Sequence, residues 1–197
     1  MTSGIEQSLR AIESSLGRLS RHKLLGALAP GLTPLDVRAQ LARAGLASNA
    51  DVEAFYQWHN GTADDPSLTL ADLWMFPIFY PLSLEEAIAY RAELIQYGRW
   101  DEWWIPVFAD GSGDFMAVDL SESGHGRVFN FDNEFAEAPL KYESLSDMMA
   151  TMAAAFERGI FFVDDRTNAI WQDVVEFNQL AAAMNPDIEW WNDPALE

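Results

Sequence analysis

The chain has 197 residues, of which 49% are hydrophobic and 13% aromatic, with a formal net charge of −19. That excludes general disorder and allows one domain, or a domain with a helical annex, around a proper core. The lack of cysteine excludes disulfides, thiolate nucleophiles and Cys-based zinc sites.

The charge is unevenly placed. Residues 1–50 hold three acidic and six basic side chains, and the other 147 hold 28 acidic and six basic. A body this anionic repels nucleic acid and anionic lipid and attracts cationic partners, although acidity also serves plain solubility. His22, His59 and His125 are far apart and form no H-x-x-x-H pair, so a His-based zinc site is not expected. There is no basic-then-apolar leader, and no apolar run approaches the roughly 20 residues of a membrane helix. The expectation is a soluble, cytoplasmic protein.

Taken in chain order, Ile5, Leu9, Ile12, Leu16 and Leu19 recur at helical spacing behind a Ser3/Glu6 capping box, predicting an amphipathic helix. "APGLTP" breaks the chain. Thr33 as cap and Pro34 at the first helical position then open a second helix, stopped near Gly45. "NADVEAFYQWHNG" predicts a short helix with Asn60-Gly61 as its stop, followed by an exposed acidic loop, "TADDPS". The aromatic run "LWMFPIFY" reads as a strand, with Pro77 marking an edge or bulge.

Ser83 and Glu86 form another capping box ahead of a helix carrying Leu84, Ala87, Ile88 and Ile95, with Arg91 interrupting the face. After Gly98 the pattern shifts to strands at 103–108, 115–120 and 127–132, joined by "ADGSGD" and "SESGHG". Ser144 with Asp147 opens a helix with Leu145, Met149, Met152 and Phe156, ended by Gly159. A last helix is expected over about 167–184. Helices, one strand, a helix, a strand meander and more helices make an α+β fold, with helices packed on one mainly antiparallel sheet.

Phosphate cradles and nucleophile elbows are missing. Gly111-Ser112-Gly113 and Gly124-His125-Gly126 start like dinucleotide loops, but Met116 and Phe129 stand at the final positions and no helix follows. Asp110 and Asp114 flank the first of these turns. As an EF-hand loop it fails at position 6, Phe115, and position 12, Ser121. Hairpin architecture asks for less: Gly111 and Gly113 take positive φ and the aspartates accept turn amides. Partner contact, and metal or acid/base chemistry, are the competing readings. Alternation puts Asp119 on the wetter face of its strand, and Asp132 and Glu134 at the end of the next, so a meander would gather carboxylates. A paired-carboxylate hydrolase remains an alternative. Trp58 reads as a ring closing a helix end, and Trp103-Trp104 as one ring in and one out. Trp190-Trp191 reads as a tail docked on its own domain or a patch facing a partner.

Together "FYQWHNG" (55–61), "WWIPVFADGSGDFMAVDL" (103–120), "GRVFNFDNE" (126–134), a tyrosine and "SLSDMMATM" resemble the SUKH superfamily, which includes the yeast cell-wall-assembly regulators and many bacterial immunity proteins. The likeness covers about residues 33 to 160, and "NPDIEWW" resembles a frequent tail of the family. It leaves residues 1–32 as an N-terminal helical extension and 33–197 as a single SUKH-like domain.

The resemblance implies an α+β domain without catalytic residues, cofactor or metal, whose typical bacterial role is neutralising a cognate toxin, often a nuclease or deaminase. It makes Trp58, Asn60, Gly61, Gly111, Gly113 and Asp119 structural motif positions. Asp64, Asp65, Asp110, Asp114, Asp132 and Glu134 are the candidate contacts to a cationic toxin domain. A regulatory scaffold in cell-wall assembly or signalling is the other binding role the family offers.

Overall fold

The computed structural model describes residues 4–98, 100–135 and 137–193. Ser3, and with it half of the first expected capping box, lies outside them. Helix α1, Gly4–Arg18, buries Ile5, Leu9, Ile12 and Leu16 to 1% exposure or less. Helix α2, His22–Ala27, forms in a stretch for which no element was expected, and a short strand β1, Leu28–Pro30, runs into the expected break. Helix α3, Pro34–Arg43, has the expected Thr33 cap, and Gly45 at φ 74° ends it.

Helix α4, Ala50–Trp58, stops earlier than expected. His59 swings to φ −147°, ψ 144°, and β2, His59–Thr62, pairs antiparallel with β1. Asn60-Gly61 is therefore part of a strand and not the helix stop. Local composition could not show this, because β2 exists only through its pairing with residues some 30 positions earlier.

"LWMFPIFY" is not one strand. Its first residue ends helix α5, Leu70–Leu73, and only Tyr80–Pro81 forms a strand, β3. Between them Phe76 to Phe79 make a tight turn, with the Phe79 amide donating to the Phe76 carbonyl at 3.1 Å. Pro77 presets the second position, and Ile78 takes φ 64° at the third. A β-branched side chain in that region is strained, at a cost of about 1–3 kcal/mol.

Helix α6, Leu84–Gln96, carries both arms of the Ser83/Glu86 capping box. The meander then forms as expected, as β4, Trp104–Ala109, β5, Phe115–Asp119, β6, Val128–Phe131, and β7, Leu140–Tyr142. Together with β3 they give an antiparallel sheet in the order β3-β4-β5-β6-β7. Pro106 is tolerated inside it because the register slips beside it, between Pro106 and Phe108.

Both faces of this sheet are covered. Phe115, Ala117 and Phe131 lie under Trp100, while Phe108 and Val118 face Phe55 of α4 and the rest of the core. Asp119 shares the Phe115 face, so it is half-buried at a strand end and not on a wet face; alternation has no wet side to report here.

Helix α7, Leu145–Glu157, follows its Ser144 cap and packs on α1, which brings the N-terminal helix into the same core as the meander. The expected helix over 167–184 splits. Strands β8, Phe161–Val163, and β9, Ile170–Gln172, form a hairpin, and helix α8 spans only Val174–Met184. Phe-Phe-Val and Ile-Trp-Gln are apolar and β-prone, and Asn168 at φ 54° sits in the connecting turn. A 3-10 turn, Glu189–Asn192, closes the described chain.

The basic residues of the N-terminal part are largely used internally. The guanidinium of Arg21, 3% exposed, donates to the carbonyls of Ala71, Asp72 and Asn168, and burial lowers its pKa. Lys23 pairs with Asp72 at 3.0 Å. Arg38 grips Glu53 with two bonds of 2.8 and 2.7 Å, which holds that carboxylate below its usual range.

Candidate functional site

Two places on this frame hold unusual chemistry: the carboxylate-rich end of the meander, and an apolar cleft on the sheet's other face. At the meander end, Asp110 Oδ1 accepts the amides of Ser112, Gly113 and Asp114 at 2.8, 3.0 and 2.9 Å, and its Oδ2 accepts the Ser112 hydroxyl. Gly111 and Gly113 take φ 87° and 115°, conformations glycine adopts without steric cost. A Cβ on Gly111 would lie 2.7 Å from the Leu70 side chain, so α5 rests on the turn.

Asp114 Oδ1 reaches across to the Asn133 amide at 2.9 Å, tying the β4–β5 turn to the end of β6. Asp132 Oδ1 accepts the amides of Glu134 and Phe135. Partial burial raises the Asp114 pKa; the Asn133 amide opposes this, and the negative charges of Asp110 and Asp132 add to it. The structure thus brings Asp110, Asp114 and Asp132 together. Among the described residues they do not make a metal-binding group of three or more ligands. Glu134 is exposed beside them. Asp64 and Asp65 are exposed in their loop, where Asp65 accepts the Ser67 amide and hydroxyl, lowering its pKa. Among the described residues no hydrogen bond or ion pair joins them to the three aspartates.

The other motif residues each hold parts of the fold together. Trp58 donates its indole N–H to Glu13 at 2.9 Å, fastening α4 to α1. Asn60 Oδ1 accepts the Leu84 amide at 2.9 Å, satisfying a free N–H in the first turn of α6. Gly61, at φ 70°, passes so close to the chain that a Cβ would lie 2.2 Å from the Ser83 nitrogen. Asp119 accepts the Ser121 amide, and its carboxyl group fills the space a Cβ on Gly124 would need.

The cleft has a volume of about 440 Å³. One wall comes from the strained turn around Ile78, and the floor from Met116 and Asn130. The rest comes from β7, the β8–β9 hairpin, the start of α8 and the tail tryptophans. Sequence reasoning missed it, because its walls come from segments up to 117 positions apart (Trp74 to Trp191). The tail docks on its own domain: Trp191 donates to the Lys141 carbonyl at 2.6 Å and packs on Tyr142 and Phe177.

Lys141 is the unusual member. It is 7% exposed and lines the cleft, with its ammonium 3.2 Å from the centre of the Trp190 ring. Val128 pairs with Tyr142 and Phe129 with Leu140, so Lys141 is the extra residue of a β-bulge. A bulge of this kind re-aims a side chain. Among the described residues no carboxylate pairs with it, and burial lowers its pKa from 10.5 to about 7. One sequence signal could have pointed here: Lys141 is the only lysine after residue 50.

Exposed apolar residues surround the mouth: Ile78 at 46%, Trp171 at 49%, Val174 at 57% and Trp190 at 36%. The Trp74 indole N–H, in the wall, is buried with no acceptor among the described residues. No helix among the described residues is long and apolar enough to cross a membrane.

A model of the SMI1 / KNR4 family (SUKH-1) matches residues 33–151, while no curated protein matches the chain. The match takes in all the motif residues and one side of the cleft, and the hairpin, α8 and the tail tryptophans lie beyond it.

Proposed function

Because this chain belongs to the SMI1/KNR4 family (SUKH-1), matched over more than half its length, we propose that it is a non-enzymatic, cytoplasmic binding protein of the immunity type. It holds a cognate toxin, a basic nuclease or deaminase domain, and blocks the surface on which phosphates would lie. The observation that supports this is the charge of residues 51–197, where 28 acidic side chains face six basic ones. Even those six are partly engaged by the chain itself: Arg91 donates to the Ala44 and Glu102 carbonyls, Arg127 pairs with Glu143 at the surface, and Lys141 is buried. Asp64, Asp65 and Glu134 stand exposed and are free to meet a cation, whereas Asp110, Asp114 and Asp132 hold the turns that display the acidic end.

Attraction between like-signed clusters and a cationic partner speeds encounter and fades with screening, over a Debye length of about 8 Å at physiological salt. The test is a search of the neighbouring reading frames for a basic toxin domain, then calorimetry with that domain in low and high salt, together with growth protection. The expected result is a stoichiometric complex that protects and weakens by about tenfold or more in high salt. An affinity indifferent to salt, or a toxin left active by the bound chain, sinks the proposal.

A further inference from the structure

The cleft does not contribute to the acidic face, and its chemistry is different. We propose that it is a binding site for a small monoanionic amphiphile, an acyl or aryl carboxylic acid, whose carboxylate meets Lys141 and whose apolar body lies among the cleft's aromatic walls. This goes beyond toxin binding and holds whether or not the chain neutralises one.

Three observations converge on it. The first is shape: a concave, mainly apolar space of about 440 Å³, rich in aromatic rings and with few polar groups, is how proteins hold small apolar ligands. The second is the lysine. The chain carries 31 acidic side chains, yet a bulge turns this one ammonium into a space where, among the described residues, no carboxylate pairs with it. A buried cation without a counterion is poorly compensated, and the faces of Trp190 and Trp191, at 3.2 and 5.1 Å, supply only part of what a carboxylate would. The third is the mouth, where Ile78 is held at φ 64° with its side chain 46% exposed. The turn sets Phe76 and Phe79 into the core, at 2% and 6% exposure, and leaves Ile78 as an apolar rim beside the open space.

The head group follows from charge. A single ammonium balances one negative charge. A phosphate would bring close to two into a chain already at −19. A macromolecular occupant, the apolar C-terminus of a peptide, shares the carboxylate; a space of about 440 Å³ is matched to a small acid.

The experiment is calorimetric titration with octanoate, with octanol as the uncharged match, and with an acetylated apolar tripeptide bearing a free C-terminus. Octanoate is expected to bind about tenfold tighter than octanol, the advantage of a charge-assisted contact. Lys141→Met should erase that difference while octanol still binds. Val174→Asp, a change at a position 57% exposed and so harmless to the core, should weaken octanoate about threefold and spare octanol. Octanoate binding no better than octanol, or a preference that survives Lys141→Met, overturns the proposal. Tripeptide binding tighter than octanoate overturns it in favour of a peptide terminus. Failure of the toxin assay leaves all these outcomes readable, since none of them uses the toxin.

Discussion

The meander end and the cleft treat charge in opposite ways. At the meander end, Asp110, Asp114 and Asp132 are close enough to repel one another, yet each is stabilised by backbone amides that accept the crowding in exchange for a fixed turn. In the cleft one ammonium is buried against two indole faces, and among the described residues no carboxylate pairs with it. A carboxylate motif that is conspicuous along the chain thus has a structural task, and an inconspicuous lysine is left chemically unfinished.

The sharpest way to break the contrast on the architectural side is Gly61→Ala. Positive φ and a Cβ 2.2 Å from the Ser83 nitrogen should together cost about 3 kcal/mol or more, lowering Tm by roughly 10 °C in a thermal melt. A melt within about 2 °C of the parent would show that β2 and α6 can move apart freely.

The next effect has the opposite sign. Lys141→Met should stabilise the chain by about 2 kcal/mol at pH 6, since desolvation outweighs the 0.5–2 kcal/mol of the indole contact. Below pH about 7 both folded and unfolded chains carry this proton, and the penalty is complete. Between about 7 and 10.5 the unfolded chain binds more protons, so this group makes stability rise with pH; above 10.5 both states are neutral and the penalty is gone. Urea midpoints from pH 6 to 10.5 measure it. An unchanged pH slope in the methionine variant would mean that the ammonium is solvated in the folded chain.

A smaller loss is expected from Asp110→Ala, which strands three turn amides close to water. The cost should be about 1–2 kcal/mol by chemical denaturation, with octanoate binding unchanged. A loss of octanoate affinity here would merge the two regions into one site. Smallest of all, the pair Asp64→Asn and Asp65→Asn should leave stability within about 0.5 kcal/mol while weakening a cationic partner in low salt. A clear drop in Tm would make that loop architectural as well.

Much of the frame was legible because it rests on local chemistry. The Thr33, Ser83 and Ser144 caps, the glycine stops at Gly45 and Gly159, and the period-2 runs of β4 to β6 need only near neighbours to be correct. Errors fell where a distant partner decides. "HNGT" became a strand because Leu28–Pro30 lies beside it, and "FFV" and "IWQ" became a hairpin because they found each other. The aromatic run around Pro77 turned back on itself because Ile78 adopts a conformation its own side chain disfavours.

The site divides in the same way. The sequence by itself determined the family motif, the hairpin that Gly111 and Gly113 bend, and the anionic character of the body, all properties of composition and short-range spacing. Only the tertiary structure decided that Lys141 occupies a bulge under two indoles, and that Met116, Ile170 and Phe177 close a cleft around it. The reason is physical: turns and caps are set by bonds a few residues long, whereas desolvation of a charge depends on everything that packs around it.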